Sequence, residues 1–158
     1  MRFSTGLPVG LAAICRWRRQ RTSFGLTVIV VDASVLVAAL ADDAGDGDLA
    51  RERLRGERLF APELIDLEVV SVLRRQVGTG RMSLRRAGMA VEDLAAAPVA
   101  RAAHTPLLRR CWELRDSVSS YDAAYVALAE LLGATLVTAD QRVARADGPT
   151  CEIEVLGR

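Results

Sequence analysis

The chain has 158 residues, 51% hydrophobic and 26% charged, which suits one domain with a sizeable core and argues against disorder. All 21 basic residues are Arg; the absence of Lys excludes a GK[ST] phosphate loop and Schiff-base chemistry. A single His, His104, and three widely spaced cysteines without a CxxC pair exclude His-rich metal sites, a zinc knuckle and a disulfide framework, and the reading is a cytoplasmic protein.

The net charge of +1 hides an asymmetry: residues 1–27 hold five Arg and no acid, while 28–158 hold 16 Arg against 20 acids. The apolar run at 7–14 is too short to span a bilayer, and its main charge cluster (Arg16, Arg18, Arg19, Arg21) follows it, unlike a secretory signal. We expect an N-terminal extension over 1–27, disordered or reflecting an upstream start, a folded domain at 28–158, and no membrane segment.

From Val28 onward short β-like runs alternate with helical ones. VIVVD (28–32) predicts a strand buried on both faces. A short helix is expected over 34–40, a Gly/Asp loop over 41–48, a second helix over 49–55 closed by Gly56, and a very short strand at 58–60. Pro62 is read as the first turn of a helix running to Gln76. Ser83 caps a helix to Ala97, and a weak strand follows at 99–103. Pro106 opens a helix to Arg115, and SSYDAAYVALAELLG (119–133) is the clearest helix, with Ser at its front and Gly133 behind it. A strand at 134–138, a short helix at 140–146 and a strand at 152–156 complete an α/β sandwich around a mostly parallel sheet.

In such sheets ligands bind beyond the carboxyl ends of the strands, which directs attention to acids there. Asp32 ends the first strand, and Asp140 follows TLVT by two positions. Glu68 has Leu64, Ile65, Ser71 and Val72 three or four residues away, placing a carboxylate on an apolar stripe. Asp122 stands in the first turn of its helix with Tyr125 and Val126 as its inward neighbours. A helix-terminal charge, a buried ion pair to Arg, and turn or cap chemistry account for these acids one at a time. A shared crevice with a hard divalent cation, Mg²⁺ or Mn²⁺ rather than zinc, accounts for them together.

The blocks VIVVDASVLVAAL, PELIDLEVVSVLRR, SSYDAAYVALAE and LVTADQRVA, in this order and at this spacing, resemble the PIN domain, and within it the VapC-type toxin ribonucleases. The resemblance covers nearly all of 28–158. It implies a three-layer α/β/α fold with five strands in order 3-2-1-4-5. It also implies a metal-dependent endoribonuclease, usually a homodimer, blocked by a small VapB-type antitoxin. Asp32 and Asp122 would be direct metal ligands, with Glu68 and Asp140 holding Mg²⁺ (or Mn²⁺) largely through water. Cleavage by a metal-activated water would leave 5′-phosphate and 3′-hydroxyl ends.

Weaker candidates surround these acids. Ser34 and Thr138 can hydrogen-bond the carboxylates or cap helices, and Tyr121 and Tyr125 can stack a base or pack the helix. RNA, expected as a tRNA or rRNA loop, would be held by arginines drawn from Arg51, Arg53, Arg55, Arg58, Arg74, Arg75, Arg81, Arg109, Arg110 and Arg115. A competing expectation is a catalytically silent or non-toxin PIN-like module that binds RNA or a partner. A haloacid-dehalogenase phosphohydrolase is remote, because Ser34 stands where its second Asp belongs and Lys is absent.

Overall fold

A computed structural model describes residues 27–157; the basic leader up to residue 26, Cys15 included, lies outside the described residues. The elements in chain order are β1 (Val28–Val31), α1 (Ala33–Ala41), α2 (Gly45–Leu54), β2 (Arg58–Pro62), α3 (Ile65–Gly78), α4 (Leu84–Ala96) and β3 (Val99–Ala102). A 3₁₀ turn (Thr105–Leu107) then leads into α5 (Leu108–Glu113), α6 (Ser120–Leu132), β4 (Thr135–Thr138), α7 (Gln141–Arg145) and β5 (Ile153–Val155). The five strands form one sheet in order β3-β2-β1-β4-β5, every neighbouring pair parallel.

β1 occupies the centre of that sheet, so Ile29, Val30 and Val31 are fully buried, which is why an unbroken β-branched run rather than an alternating one codes for it. The crossovers from β1 through β2 to β3 carry α1–α4 and those through β4 to β5 carry α5–α7. Right-handed crossovers send these two groups to opposite faces. Accordingly α1 packs against α2, α3 and α4, whereas α6 packs against α5 and the β1, β2 and β4 strands. The strands run in one direction, but the order in which they are added reverses between β1 and β4, and at such a switch point a crevice opens beyond the carboxyl ends.

α6 is buried over most of its circumference, from Ala123 to Ala129 and at Leu132. Its small alanines let the backbone approach the sheet closely, and the large Tyr125 and Leu128 fill the space between. Ser119 Oγ accepts from the Asp122 N–H at the front, and Gly133 ends the helix at φ 59°, a left-handed conformation that a Cβ disfavours.

Three expectations need correction. The segment read as a Gly/Asp loop is helical from Gly45. Asp46 and Asp48 stand in that first turn, where the macrodipole favours acids, and Arg51 donates to the Ala39 and Asp42 carbonyls at the end of α1. Gly47 is required there, since a Cβ on it would lie 1.9 Å from the Asp42 carbonyl oxygen. Second, Pro62 closes β2 instead of opening a helix, and α3 begins at Ile65. Pro62 pairs with Ala102 of β3 and lies past the last β1–β2 pair, Val30↔Phe60; the donor it lacks is one the ladder does not use there. Third, the helix read from Pro106 to Arg115 is a 3₁₀ turn followed by the short α5.

Candidate active site

Each candidate acid is delivered by a different element and held by its own neighbour. Asp32 follows β1 and caps nothing with its side chain. Its Oδ2 accepts from Ser34 Oγ at 2.6 Å and from Thr138 Oγ1 at 2.7 Å. Both hydroxyls are themselves fixed by the β4 exit loop, Ser34 accepting from the Ala139 N–H and Thr138 from the Asp140 N–H, each at 3.0 Å. Thr138 is 1% exposed, so its hydroxyl has no water to turn to and is satisfied wholly by this link between β1 and β4. Asp122 in turn accepts the Ser119 hydroxyl hydrogen on Oδ2 at 2.7 Å.

Glu68 projects from α3, a helix whose buried line is Ile65, Val69 and Leu73; it stands half-buried at the edge of that line. Among the described residues no Arg pairs with it. Its Oε2 accepts from the phenol of Tyr125, a side chain 2% exposed. Burial pushes the Glu68 carboxyl above the usual carboxylate range; the Tyr125 hydrogen bond opposes that rise, and the negative charges of Asp32 and Asp122 add to it. The Tyr125 phenol is driven far up, first by burial and then by Glu68, and stays a proton donor.

Asp140 differs from the other three. It caps α7 by accepting the Arg142 N–H, and the Arg142 guanidinium grips both of its oxygens, at 3.0 and 3.1 Å from Nε. That contact holds its carboxyl below the usual range. By contrast, Asp32 Oδ1, Glu68 Oε1 and Asp122 Oδ1 receive no donor among the described residues. The structure brings Asp32 and Asp122 within electrostatic reach of Glu68 and turns Asp140 onto an arginine. Among the described residues no three His, Cys, Asp or Glu side chains are grouped closely enough to hold a metal ion as they stand. Glu68, Asp122 and Arg142 line one cleft of about 550 Å³. A larger groove of about 670 Å³ beside α1 and α2 carries none of the four acids.

The PIN domain family model matches residues 29–149. The chain belongs to the PIN domain family. It is 40% identical over 131 residues to "Ribonuclease VapC9" of Mycobacterium tuberculosis, spanning 83% of this chain and all of that relative. Among solved structures it is similar to PAE2754 from Pyrobaculum aerophilum, with a TM-score of 0.59 and 27% identity over 82% of this chain and 84% of that one. VapBC2 from Rickettsia felis, solved bound to a DNA fragment from its promoter, shares the fold at TM-score 0.61 and 13% identity, covering 83% of this chain and all of that one.

In this PIN domain two functional neighbours escaped sequence reasoning. The sequence leaves Tyr125 as a packing or stacking ring, and its i+3 spacing from Asp122 is the signal that its hydroxyl shares the acid face. Arg142 was left out of the RNA-binding arginines although it sits two residues past Asp140. Several arginines chosen for RNA are engaged within the fold. Arg53 binds Glu154 and Glu57, Arg110 binds Glu130, and Arg51 binds Asp48 besides its two carbonyls. Arg109 pairs with Glu113 and Arg55 with Glu52. His104 lies in the loop before the 3₁₀ turn, as expected, with no helix-capping bond from its side chain.

Proposed function

We propose that the chain is a metal-dependent endoribonuclease, the toxin of a toxin–antitoxin pair, with Asp32, Glu68, Asp122 and Asp140 as its site. The observation that carries this reading is the pair Glu68 and Asp122 lining one cleft, each with one oxygen committed to a hydroxyl and the other without a donor among the described residues, and Asp32, held in the same way, near enough for its charge to act on Glu68. Burial and the charges of Asp32 and Asp122 raise the cost of ionising Glu68, and a hard divalent cation relieves it. The donor set, all oxygen with no His or Cys, fits Mg²⁺ or Mn²⁺. Asp32, Asp122 and Glu68 would hold it, and Asp140 would join on leaving Arg142. When bound, the cation supplies charge that admits a polyanion to an acid-lined cleft and makes water a better nucleophile.

The chain's own residues do the positioning. Ser34 and Thr138 both donate to one oxygen of the Asp32 carboxylate and fix it, leaving the other for a ligand. Ser119 fixes Asp122 in the first turn of α6, and Tyr125 keeps Glu68 from rotating. Arg142 offers an exposed guanidinium at the rim, where it can exchange the Asp140 carboxylate for a phosphate. We place the nuclease unit in residues 28–158, with an RNA loop as substrate, a VapB-type antitoxin as partner and a homodimer as the assembly. Among the described residues no helix is long and apolar enough to cross a membrane.

The test is RNA cleavage by the full chain with Mg²⁺ supplied and with EDTA. Asp32→Asn and Asp122→Asn should each abolish cleavage while the folded spectrum is kept, and products should carry 5′-phosphate ends. Unchanged cleavage by either variant would remove this site from the reaction. The pairing of Asp140 with Arg142 favours a second reading, a module that binds without cutting. Calorimetry separates the two, because that module takes up no Mn²⁺ in a carboxylate-dependent way.

A further inference from the structure

We propose that Tyr121 is the platform on which one unpaired nucleobase of the RNA stacks, with Arg75 on one side of it and Arg115 and Arg142 on the other taking the flanking phosphates. This rests on the nuclease reading and adds to it how the substrate crosses the site. Tyr121 is 64% exposed in the first turn of α6, although it directly precedes Asp122. The ring therefore stands mostly in water, next in sequence to a carboxylate of the proposed site.

The ring has a specific position. Two clefts, of about 550 and 460 Å³, adjoin at this point, and Tyr121 and Glu68 are the two residues that line both. Together they make one trough with Tyr121 on its dividing ridge. Arg75 lines the far side, exposed, and its guanidinium has no partner among the described residues. Arg115 and Arg142 line the near side. Arg115 lies 5.2 Å above the Trp112 ring and pairs with Asp116; Arg142 pairs with Asp140. Exposed pairs of this kind contribute little and give way readily to a phosphate.

Arginines to either side of an aromatic ridge form the pattern that single-stranded nucleic acid requires, since each base offers a π-face and each linkage a negative charge. A duplex would not fit, because its bases are already stacked. Tyr125, the other tyrosine of α6, is excluded from this role by its burial and its bond to Glu68. The apolar residues on the far side, Leu64 and Leu67, also suit a second copy of the chain, and the experiment below separates the two occupants.

Binding of a short fluorescein-labelled single-stranded RNA would be followed by anisotropy in Mg²⁺, with the full chain carrying Asp32→Asn throughout so that no cleavage occurs. Tyr121→Ala should weaken binding by about fivefold or more, the fold-change one lost base–aromatic stack carries, and Tyr121→Phe should stay within about twofold. Arg75→Gln should weaken binding and reduce its salt dependence. Equal affinity of Tyr121→Ala and the parent chain overturns the proposal. So does a fall in sedimentation mass with RNA affinity unchanged, which would assign the ring to an interface between copies. The nuclease reading is tested apart from this, by Asp32-dependent cleavage in Mg²⁺: cleavage with no Tyr121 effect on binding removes only the stacking platform. A chain that neither binds RNA as Asp32→Asn nor cuts it unsubstituted removes both.

Discussion

Tyr125 donates its phenol hydrogen to Glu68, joining α6 to α3 across 57 positions of chain. The pair explains how an acid can stand on the edge of an apolar helix face without an arginine. Tyr125→Phe keeps the ring in the core and deletes the donor. It should lower stability by about 1 kcal/mol and slow RNA cleavage, with a higher Mg²⁺ requirement. Urea unfolding and Mg²⁺ titration of the cleavage rate check the two parts separately.

Glu68 itself should be held at a cost to stability. Its folded pKa lies above the ordinary value because of burial first and its acidic neighbours next. The folded state therefore binds the proton more tightly than the unfolded one, and ionisation disfavours folding as pH rises through that folded pKa. In EDTA, Glu68→Gln should stabilise the fold at neutral pH by a few tenths of a kcal/mol, discounted because water screens the exposed half of the group. The gain should vanish in acid, and cleavage should be lost. Thermal unfolding of both chains across pH tests the sign.

Thr138→Val removes the hydroxyl that joins Asp32 to the Asp140 N–H while keeping the volume. A buried donor and acceptor lose their shared partner, at a cost of about 1–3 kcal/mol. Because Asp32 then keeps only Ser34, cleavage should fall by about tenfold or more. Ser34→Ala should act in the same direction more weakly, its site being only partly buried. Cleavage rates beside melting temperatures separate positioning from folding.

Arg101 donates to the carbonyls of Leu94, Ala97 and Val99 and to both oxygens of Asp66. It thereby ties the end of α4 and β3 to the start of α3. A lysine cannot reproduce that fork of donors. Arg101→Lys should cost about 1–3 kcal/mol in urea unfolding, with RNA cleavage by the folded fraction unchanged.

Burial alone would raise the Glu130 carboxyl, yet its bonds from Arg110 and Thr150 outweigh burial and hold it below the ordinary range. A carboxylate lowered on folding contributes stability above its unfolded pKa of about 4.3, lost as pH falls through the folded value. Glu130→Gln should therefore lower the melting temperature at pH 7 and lose that deficit in acid. A constant deficit at every pH would mean that the charge contributes nothing.

What was legible in the sequence was whatever neighbouring residues decide among themselves. A short β-branched run such as VIVV favours a buried strand, Ser119 and Gly133 mark the ends of α6 by local hydrogen bonding and backbone freedom, and alternation of strand and helix leads to a parallel sheet. The acids at 32, 68, 122 and 140 stood out because they occupy strand ends or apolar faces. The same local logic misread Gly45–Asp48 and Pro62, since a carbonyl cap from Arg51 and the early end of β1 pairing are set by other elements. Only the tertiary structure could choose partners across long separations. It gave Glu68 a tyrosine rather than an arginine, bound Asp32 to Thr138 through the β1–β4 register, turned Asp140 onto Arg142, and used most of the expected RNA-binding arginines as internal ties. Those choices depend on distances in space, and a side chain's place along the polypeptide leaves them undetermined.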